Sequence, residues 1–279
     1  MIGHAIFRTL THTPDIKTWG TVRRLSDKLH FNEQESVQLL VGSDLERRET
    51  VPRFFTSVKP DVVINCVGMT KHHQASSDPQ ISIPINALFP HQLSDQCSAI
   101  GARLIHISTD CVFSGLKGNY CELDEPDARD IYGKTKHLGE IKYTNSLTLR
   151  TSTIGHELIS AYGLLEWFLV QQEQCSGFAR ALFSGLTNIE FSKVVKDIVI
   201  QHQDLQGLLH VGGPKINKYE LLLLIAKIYG KKIKIIRNEE FILDRSLNSS
   251  KFESATGYQA PSWLDMISIM YAENKNQNV

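Results

Sequence analysis

The chain has 279 residues, 30 Lys and Arg against 30 Asp and Glu, and a 42% hydrophobic content. That length suits one large domain or two small ones and can bury a sizeable core without staples. The formal net charge of zero excludes a global field for nucleic acid or an anionic membrane. The longest run of large aliphatics, residues 221–225, is far short of a membrane span.

No charged-then-apolar leader opens the sequence, which points away from secretion and toward the cytoplasm. The five cysteines, Cys66, Cys97, Cys111, Cys121 and Cys175, are odd in number and widely spaced, with no CxxC pair. That pattern predicts reduced thiols rather than a disulfide framework or a structural zinc site.

In chain order, residues 1–11 read as a helix with Ile2, Ala5, Ile6 and Leu10 on one face. Short strands are expected within 18–24 and around 37–41, the second followed by a polar turn at 42–44. A helix over 46–58 ends before Pro60. Residues 61–66 (DVVINC) form a short β-branched run that fits a strand buried on both faces. A helix over 85–100 is stopped by Gly101, and 103–107 (RLIHI) is a second buried strand. A helix over 131–142 and a strand over 146–150 follow. Further on come helices at 164–172, 191–202 and 218–229, the last stopped by Gly230, with strands at 208–211 and 231–236. No internal repeat is evident, and the polar tail 274–279 is expected to fray.

Strands alternating with helices of this length imply right-handed crossovers and an α/β fold, a doubly wound parallel sheet with a small C-terminal lobe. Ligands of such sheets sit beyond the carboxyl ends of the strands. The residues just after each strand are therefore the candidates for chemistry.

One constellation stands out there. The strand at 105–107 runs into Ser108, Thr109 and Asp110, and Tyr132 and Lys136 follow on a helix, the tyrosine 23 residues after Thr109. Positions four apart share a helix face. A tyrosine with a pKa of about 10 is a poor acid-base catalyst, and a nearby ammonium would move it toward working pH. A hydroxyl at the strand's carboxyl end can share a substrate oxygen with that phenol. The Tyr-x-x-x-Lys spacing alone is weak; preceded by a strand ending in Ser-Thr-Asp it becomes strong.

The segments VVINCVGMT (62–70), PINALFPHQL (84–93), GARLIHISTDCVFSG (101–115), YGKTKHLGE (132–140), LRTSTIGHEL (149–158) and DRSLNSSKF (244–252) together resemble the extended short-chain dehydrogenase/reductases. The likeness is greatest to their dTDP-4-dehydrorhamnose reductase branch. The resemblance implies a Rossmann-type NAD(P)-binding domain over 1–155 and a substrate lobe over 156–279, with 188–212 returning to the first part. It implies reduction of the keto group of a nucleotide-linked deoxysugar, in cell-surface polysaccharide biosynthesis. A sugar-nucleotide epimerase or dehydratase of the same superfamily, or a non-catalytic binding subunit, are the alternatives. The implied partner is a nucleotide sugar, with no nucleic acid and no membrane, and a homodimer is left open.

By the same resemblance Tyr132 is the catalytic acid, Lys136 its partner and a ligand of the nicotinamide ribose, and Thr109 the donor to the substrate oxygen. Cys66, Val67 and Gly68 lie along the cofactor, Asp44 and Leu45 meet the adenine, and Asn86 matches the family's helix asparagine. Asp110, Phe113, Ser152 and Arg245 are implied substrate contacts, with Ser246 beside them, and residues 150–152 face the nicotinamide or sugar. A dinucleotide fold reads the adenine ribose after its second strand, where an acid selects the free hydroxyl and arginine accommodates a phosphate. Here Arg23 and Arg24 follow that strand with no acid, which favours NADPH over NADH; the bland alternative is two solvated surface charges.

The front of the sequence departs from the family. Ile2 and Gly3 match the end of its glycine turn, and both are expected at the cofactor, but the strand and glycines ahead of them have no counterpart. About four or five aliphatic side chains at about 1.5–3 kcal/mol each rival a domain's whole net stability of about 5–15 kcal/mol. Three explanations stand: a true start upstream of Met1, a real truncation, or another segment in the gap. The first is favoured because Thr109, Tyr132 and Lys136 are all retained.

Other features have plainer readings. His72 and His73 lack a third ligand at suitable spacing and read as polar surface, so no metal is expected. Asp124, Glu125 and Asp127 read as solvated charge, and Trp167 and Phe168 as packing. Residues 184–188 (SGLTN) either touch phosphates or cap a helix through Thr187 or Asn188.

Overall fold

The computed structural model describes residues 1–42, 50–71 and 74–277. Helix α1 (Ile2–Thr11) buries Ala5, Ile6, Phe7 and Leu10, one apolar face at helical spacing. Strand β1 (Gly20–Val22), helix α2 (Glu33–Val37), strand β2 (Leu39–Val41) and helix α3 (Thr50–Val58) follow. Asn32 starts α2 with a reciprocal capping box to Glu35, so the strand expected over 37–41 is shortened to 39–41. The start of the helix expected over 46–58 lies outside the described residues, as do Asp44, Leu45, His72 and His73.

Strand β3 (Val62–Asn65) is half-buried except at Asn65, which corrects the expectation of burial on both faces. Helix α4 (Pro79–Ser82), a π-helical stretch (Ile83–Leu88) and α5 (Phe89–Ile100) form one run. It starts earlier than the expected residue 85 because Asp78 caps it and Pro79 takes a first-turn place. It ends at Gly101 as expected.

Strand β4 (Arg103–Thr109) is buried at every residue. Helix α6 (Ile131–Leu138) stops four residues before the expected 142. The cause is Thr148, whose hydroxyl accepts from the Ile141 N–H at 3.0 Å and donates to its carbonyl at 2.8 Å, drawing the chain onto the sheet. Strand β5 (Ser146–Thr151) is again buried throughout.

The remaining elements are β6 (Thr153–Ile154), α7 (Leu164–Val170), β7 (Gln174–Phe178), β8 (Ala181–Phe183), β9 (Leu186–Thr187), α8 (Asn188–Val194) with a π-helical extension to Val199, and β10 (Gly207–His210). Then come β11 (Ile216–Asn217), α9 (Lys218–Tyr229), β12 (Lys234–Asn238), β13 (Leu243–Asp244), α10 (Ser250–Thr256) and α11 (Trp263–Gln277). The strand expected at 231–236 begins at 234, and Lys231 instead donates to the carbonyls of Leu169 and Gln171 at 2.8 Å. Residues 274–277, expected to fray, belong to α11.

The chain is α/β with a parallel central sheet ordered β10-β5-β4-β3 and a separate parallel pair β1-β2. Alternation across β4 divides the core. Ile105 and Ile107 join Leu147, Leu149, Ile6, Leu10 and Phe191 on one face, while Leu104 packs with Phe89, Leu93 and Ile141 on the other. This double covering buries even the polar residues between the aliphatics of β4 and β5, such as His106 and Thr148. No helix of the described residues is long and apolar enough to cross a membrane.

Candidate active site

The site forms where β4 and β5 end and α6 crosses them. The Thr109 hydroxyl accepts from the Cys111 N–H at 3.1 Å, donates to Asp110 Oδ1 at 3.1 Å, and is near enough to the Tyr132 phenol to favour its charged form. Asp130 caps α6 by accepting from the Gly133 N–H at 2.8 Å. Gly133 lets the helix lie against the Thr109–Cys111 turn, since a Cβ there would sit 2.3 Å from the Cys111 carbonyl oxygen and 2.5 Å from Ala128 Cβ. Tyr132 is held over the end of β4 by that close approach.

Lys136, one turn further on, is 5% exposed and donates to the Ile107 carbonyl at 2.8 Å. Burial lowers its pKa to about 8, against the raising influence of Glu140 and Cys66. Sequence reasoning expected this amine to acidify the tyrosine. The structure has the opposite direction: burial, with the nearby Cys111, raises the Tyr132 phenol, and only the Thr109 hydroxyl opposes it. The Lys136 ammonium points to a backbone carbonyl instead. The phenol therefore stays protonated, the form that can give a proton away.

The turn after β3 closes the other side. Asn65 Oδ1 accepts from the Val67 N–H at 3.0 Å, and Asn86 Oδ1 from the Met69 N–H at 2.8 Å. Asn86 also donates to the Thr135 hydroxyl at 3.2 Å, so one buried amide ties the turn to α6. A Cβ on Gly68 would lie 3.3 Å from Asn86 Oδ1 and 3.8 Å from Lys136 Nζ. The lack of a side chain at Gly68 thus lets the turn lie close against both the amide and the amine. Beside this turn stands the amino end of α1, whose first-turn N–H groups have no side-chain cap, a setting that suits an anion. Gly3 is packed against Cys66 there, Ile2 is half-buried on the main core, and burial pushes the Cys66 thiol up to about 12.

The expected substrate contacts divide. Asp110 accepts from the Thr109 hydroxyl at 3.1 Å; burial raises its pKa against the lowering influence of Arg245, Cys111, Ser152 and Thr109. Arg245 Nε donates to the Phe113 carbonyl at 2.8 Å, while Ser246 is occupied by Asp244 and Asn119. Phe113 is corrected: it is fully buried and stacked on Tyr120 at 4.0 Å. Arg150 and Thr151 are likewise buried, and Arg150 is bound to both oxygens of Glu140 at 2.7 Å. Arg23 and Arg24 are exposed just beyond β1, with the Arg24 N–H bonded to Asp27 at 2.9 Å.

Asp124 and Asp127 are more than solvated charge: Asp124 pairs with Lys117, and Asp127 accepts from the Ser114 N–H and hydroxyl at 2.6 Å. Phe168 is core as expected, while Trp167 is 38% exposed. Of the two readings of 184–188, the structure has the cap: Thr187 accepts from the Glu190 N–H. Two features escaped sequence reasoning. Glu140 holds Arg150, Ser108 and His137 together behind α6; the acid lay inside a quoted motif, but nothing local marks a buried pair. Lys218, at the start of α9, is near enough to Asp110 and Cys111 for their charges to act on its amine. Its only sequence signal was that of a helix start.

With this geometry in view, comparison with known proteins is informative. The family model described as the RmlD substrate binding domain matches residues 15–157. A dTDP-4-dehydrorhamnose reductase of Streptomyces griseus is 40% identical over 83 residues, 29% of this chain and 27% of that protein. The chain thus aligns with under a third of that relative's length. A dTDP-4-dehydrorhamnose reductase of Sinorhizobium fredii is 32% identical over 251 residues, covering 79% of this chain and 82% of that one. The solved dTDP-4-dehydrorhamnose reductase of Bacillus anthracis, in complex with NADP, superposes with a TM-score of 0.75 at 20% identity, over 89% of this chain and 94% of its own. That likeness is one of fold, a Rossmann-like α/β architecture. Matched by the family model over half its length and by a relative over most of it, the chain belongs to the RmlD substrate binding domain family, the dTDP-4-dehydrorhamnose reductase-like branch of the extended short-chain dehydrogenase/reductases.

Proposed function

We propose that the chain reduces the keto group of a nucleotide-linked deoxysugar with NADPH, NADH being the lesser donor, as a step in polysaccharide synthesis. The observation that carries this reading is the Thr109 hydroxyl at the end of β4 acting on a half-buried Tyr132 phenol, one helical turn from the buried Lys136 ammonium. Residues 1–155 hold the dinucleotide and 156–279 the sugar, with 188–212 packing back on the first part. Lys136 and the turn Cys66, Val67 and Gly68 hold the ribose end. Ile2 and Gly3 meet the diphosphate, and Arg23 and Arg24 the phosphate of the adenine ribose.

A bound reduced nicotinamide supplies the hydride to the carbonyl carbon. Thr109 and Tyr132 both reach the carbonyl oxygen, so the ketone is fixed between two hydroxyls. As negative charge grows on that oxygen, Tyr132 gives up its proton and the alcohol is complete. The phenolate left behind is one turn from the Lys136 ammonium, which is then its nearest cation on α6. Asp110 orients Thr109 and, with Ser152 and Arg245, lines the sugar side.

Retention of the hydroxyl, phenol and amine supports catalysis over a binding subunit. Stoichiometric consumption of NADPH separates a reductase from an epimerase or dehydratase. The test is Tyr132→Phe with a nucleotide-linked keto sugar: turnover falls by about 10²–10⁴-fold while NADPH still binds. Full turnover in that variant sinks the proposal.

A further inference from the structure

One residue back from the reacting end of β4, a row of polar side chains crosses three strands. Ser108 on β4 is the register partner of Arg150 on β5, and Arg150 is the partner of His210 on β10. All three are buried. Glu140, just past α6, binds this row. Its Oε1 accepts from the Ser108 hydroxyl at 2.8 Å and from Arg150 Nε at 2.7 Å. Its Oε2 accepts from Arg150 Nη2 at 2.7 Å and from His137 Nδ1 at 3.1 Å. Arg150 Nη1 donates to His210 Nε2 at 3.3 Å. The backbone that carries Glu140 is itself fixed, because a Cβ on Gly139 would collide with the Asn86 carbonyl. Ser108 stands in the chain between two groups of the site. The Ile107 carbonyl before it receives the Lys136 ammonium at 2.8 Å, and Thr109 follows it.

We infer that Glu140 is a positioning residue for the reduction: through Ser108 it fixes the end of β4 between the Ile107 carbonyl and Thr109, and its charge holds the Lys136 ammonium there. This rests on the reductase reading of the site and adds a residue that acts through two others. Burial opposes the Lys136 ammonium, and Glu140 is the foremost group that favours it. Cys66 is the other, but burial pushes its thiol up to about 12, so near neutrality it carries no charge. His106 also faces Lys136, and burial, with that amine, keeps its ring neutral. The charges facing Glu140 are Arg150 from β5 and His137 from α6, with His210 of β10 behind Arg150. Held by Arg150, His137 and Ser108, the carboxyl stays ionised despite its burial. Its field on the amine is therefore present across the working range, in a setting of low dielectric where it counts for more than in water.

The test reads Lys136 directly and turnover separately. Its isotope-labelled side chain, assigned with Lys136→Arg, is titrated by NMR in the full chain, and its midpoint is expected near pH 8. In the double variant Glu140→Gln, Arg150→Met that midpoint falls by about one pH unit or more, the usual effect of removing a nearby opposite charge. The alkaline limb of kcat falls with it. Glu140→Asp keeps the charge and holds the midpoint within about half a pH unit. Arg103→Met is the control for stability alone. It loses hydrogen bonds at 2.7 Å to the Val199 and Leu205 carbonyls at the far end of β4, so it lowers the thermal midpoint and leaves the Lys136 titration where it was. An unmoved Lys136 in the double variant, an equal shift in Arg103→Met, or a fall in Glu140→Asp as large as in the double variant overturns the inference. A wild-type chain that titrates as expected but reduces no nucleotide-linked keto sugar overturns the reductase reading and leaves the relation of Glu140 to Lys136 standing. If the double variant fails to fold, Ser108→Ala decides: kcat falls by about tenfold with KM for NADPH unchanged, and an unchanged kcat overturns the inference.

Discussion

Gly133 lies so close to the Cys111 carbonyl that a Cβ would stand 2.3 Å from its oxygen. The contact joins the helix bearing Tyr132 to the turn bearing Thr109, and both atoms are backbone or near it, so neither yields easily. Gly133→Ala must therefore push α6 away from β4. The expected outcome is a loss of about 1–3 kcal/mol in stability and a fall in kcat of about 10²-fold, the effect of a misplacement of about 1 Å. Urea unfolding and steady-state NADPH oxidation measure the two. An alanine variant with unchanged kcat would show that the tyrosine does not depend on this contact.

The pH dependence separates the two titrating groups. Burial lowers Lys136 to about 8 and raises Tyr132 above its ordinary value. The ammonium is the form that stabilises a phenolate, so activity is present below pH 8 and declines as pH rises through it. The alkaline limb of kcat/KM in the wild-type chain is then expected near pH 8 and belongs to the lysine. In Lys136→Met the rate is low and that limb is absent. A limb that persists unchanged in the variant assigns it to another group.

The stability of the site is anchored behind α6. Glu140 accepts from Arg150 through both oxygens at 2.7 Å and from Ser108 at 2.8 Å, and both charged side chains are almost wholly buried. Burial alone would raise this carboxyl, but the Arg150 hydrogen bonds, with those of His137 and Ser108, hold it well below the usual range. Its folded pKa lies below its unfolded one. Its contribution is therefore complete above about pH 4.5 and is lost as pH falls below that. Glu140→Gln leaves the Arg150 guanidinium buried and unpaired, an expected cost of about 3–5 kcal/mol. The double variant Glu140→Gln, Arg150→Met should recover part of it. Chemical unfolding at neutral pH checks both, and additivity of the two single changes would refute the pairing.

What was legible in the sequence follows what periodicity can encode. Strands 103–109 and 146–151 are short and carry clustered or alternating aliphatics, Leu104, Ile105 and Ile107 in one and Leu147 and Leu149 in the other, so they read correctly. The placement of Thr109 at a strand end and of Tyr132 and Lys136 on one helix was legible because strand and helix periods carry it. The direction of the tyrosine shift was not, because the amine's choice of the Ile107 carbonyl is a tertiary contact 29 residues away in sequence. Phe113 was misread for a similar reason: its stacking on Tyr120 and its place beneath Arg150 depend on a loop and a strand brought together only in the fold. The short strands β7, β8, β11 and β13 were missed because two to five residues give no period to detect.

Lys218 is the residue whose role the sequence concealed most fully. It opens α9 next to the Asn217 cap, yet its amine shares a neighbourhood with Asp110, Cys111, Arg245 and Lys71. Burial lowers its pKa, and Asp110 is the main opposing influence. Lys71 is paired with Asp130 at 2.9 Å, and the Arg245 Nε is taken by the Phe113 carbonyl. If Asp110 and Arg245 line the sugar side as proposed, Lys218 is a further cation there for a phosphate. Lys218→Met is expected to raise KM for a nucleotide-linked substrate by about 10–100-fold, the value of one charge-assisted hydrogen bond of about 1.5–3 kcal/mol. kcat should move little, because the reacting carbonyl is held by Thr109 and Tyr132. The effect should shrink as salt is raised and vanish for an uncharged ketone of similar shape. An equal loss on charged and uncharged substrates would make Lys218 a packing residue and remove it from phosphate recognition.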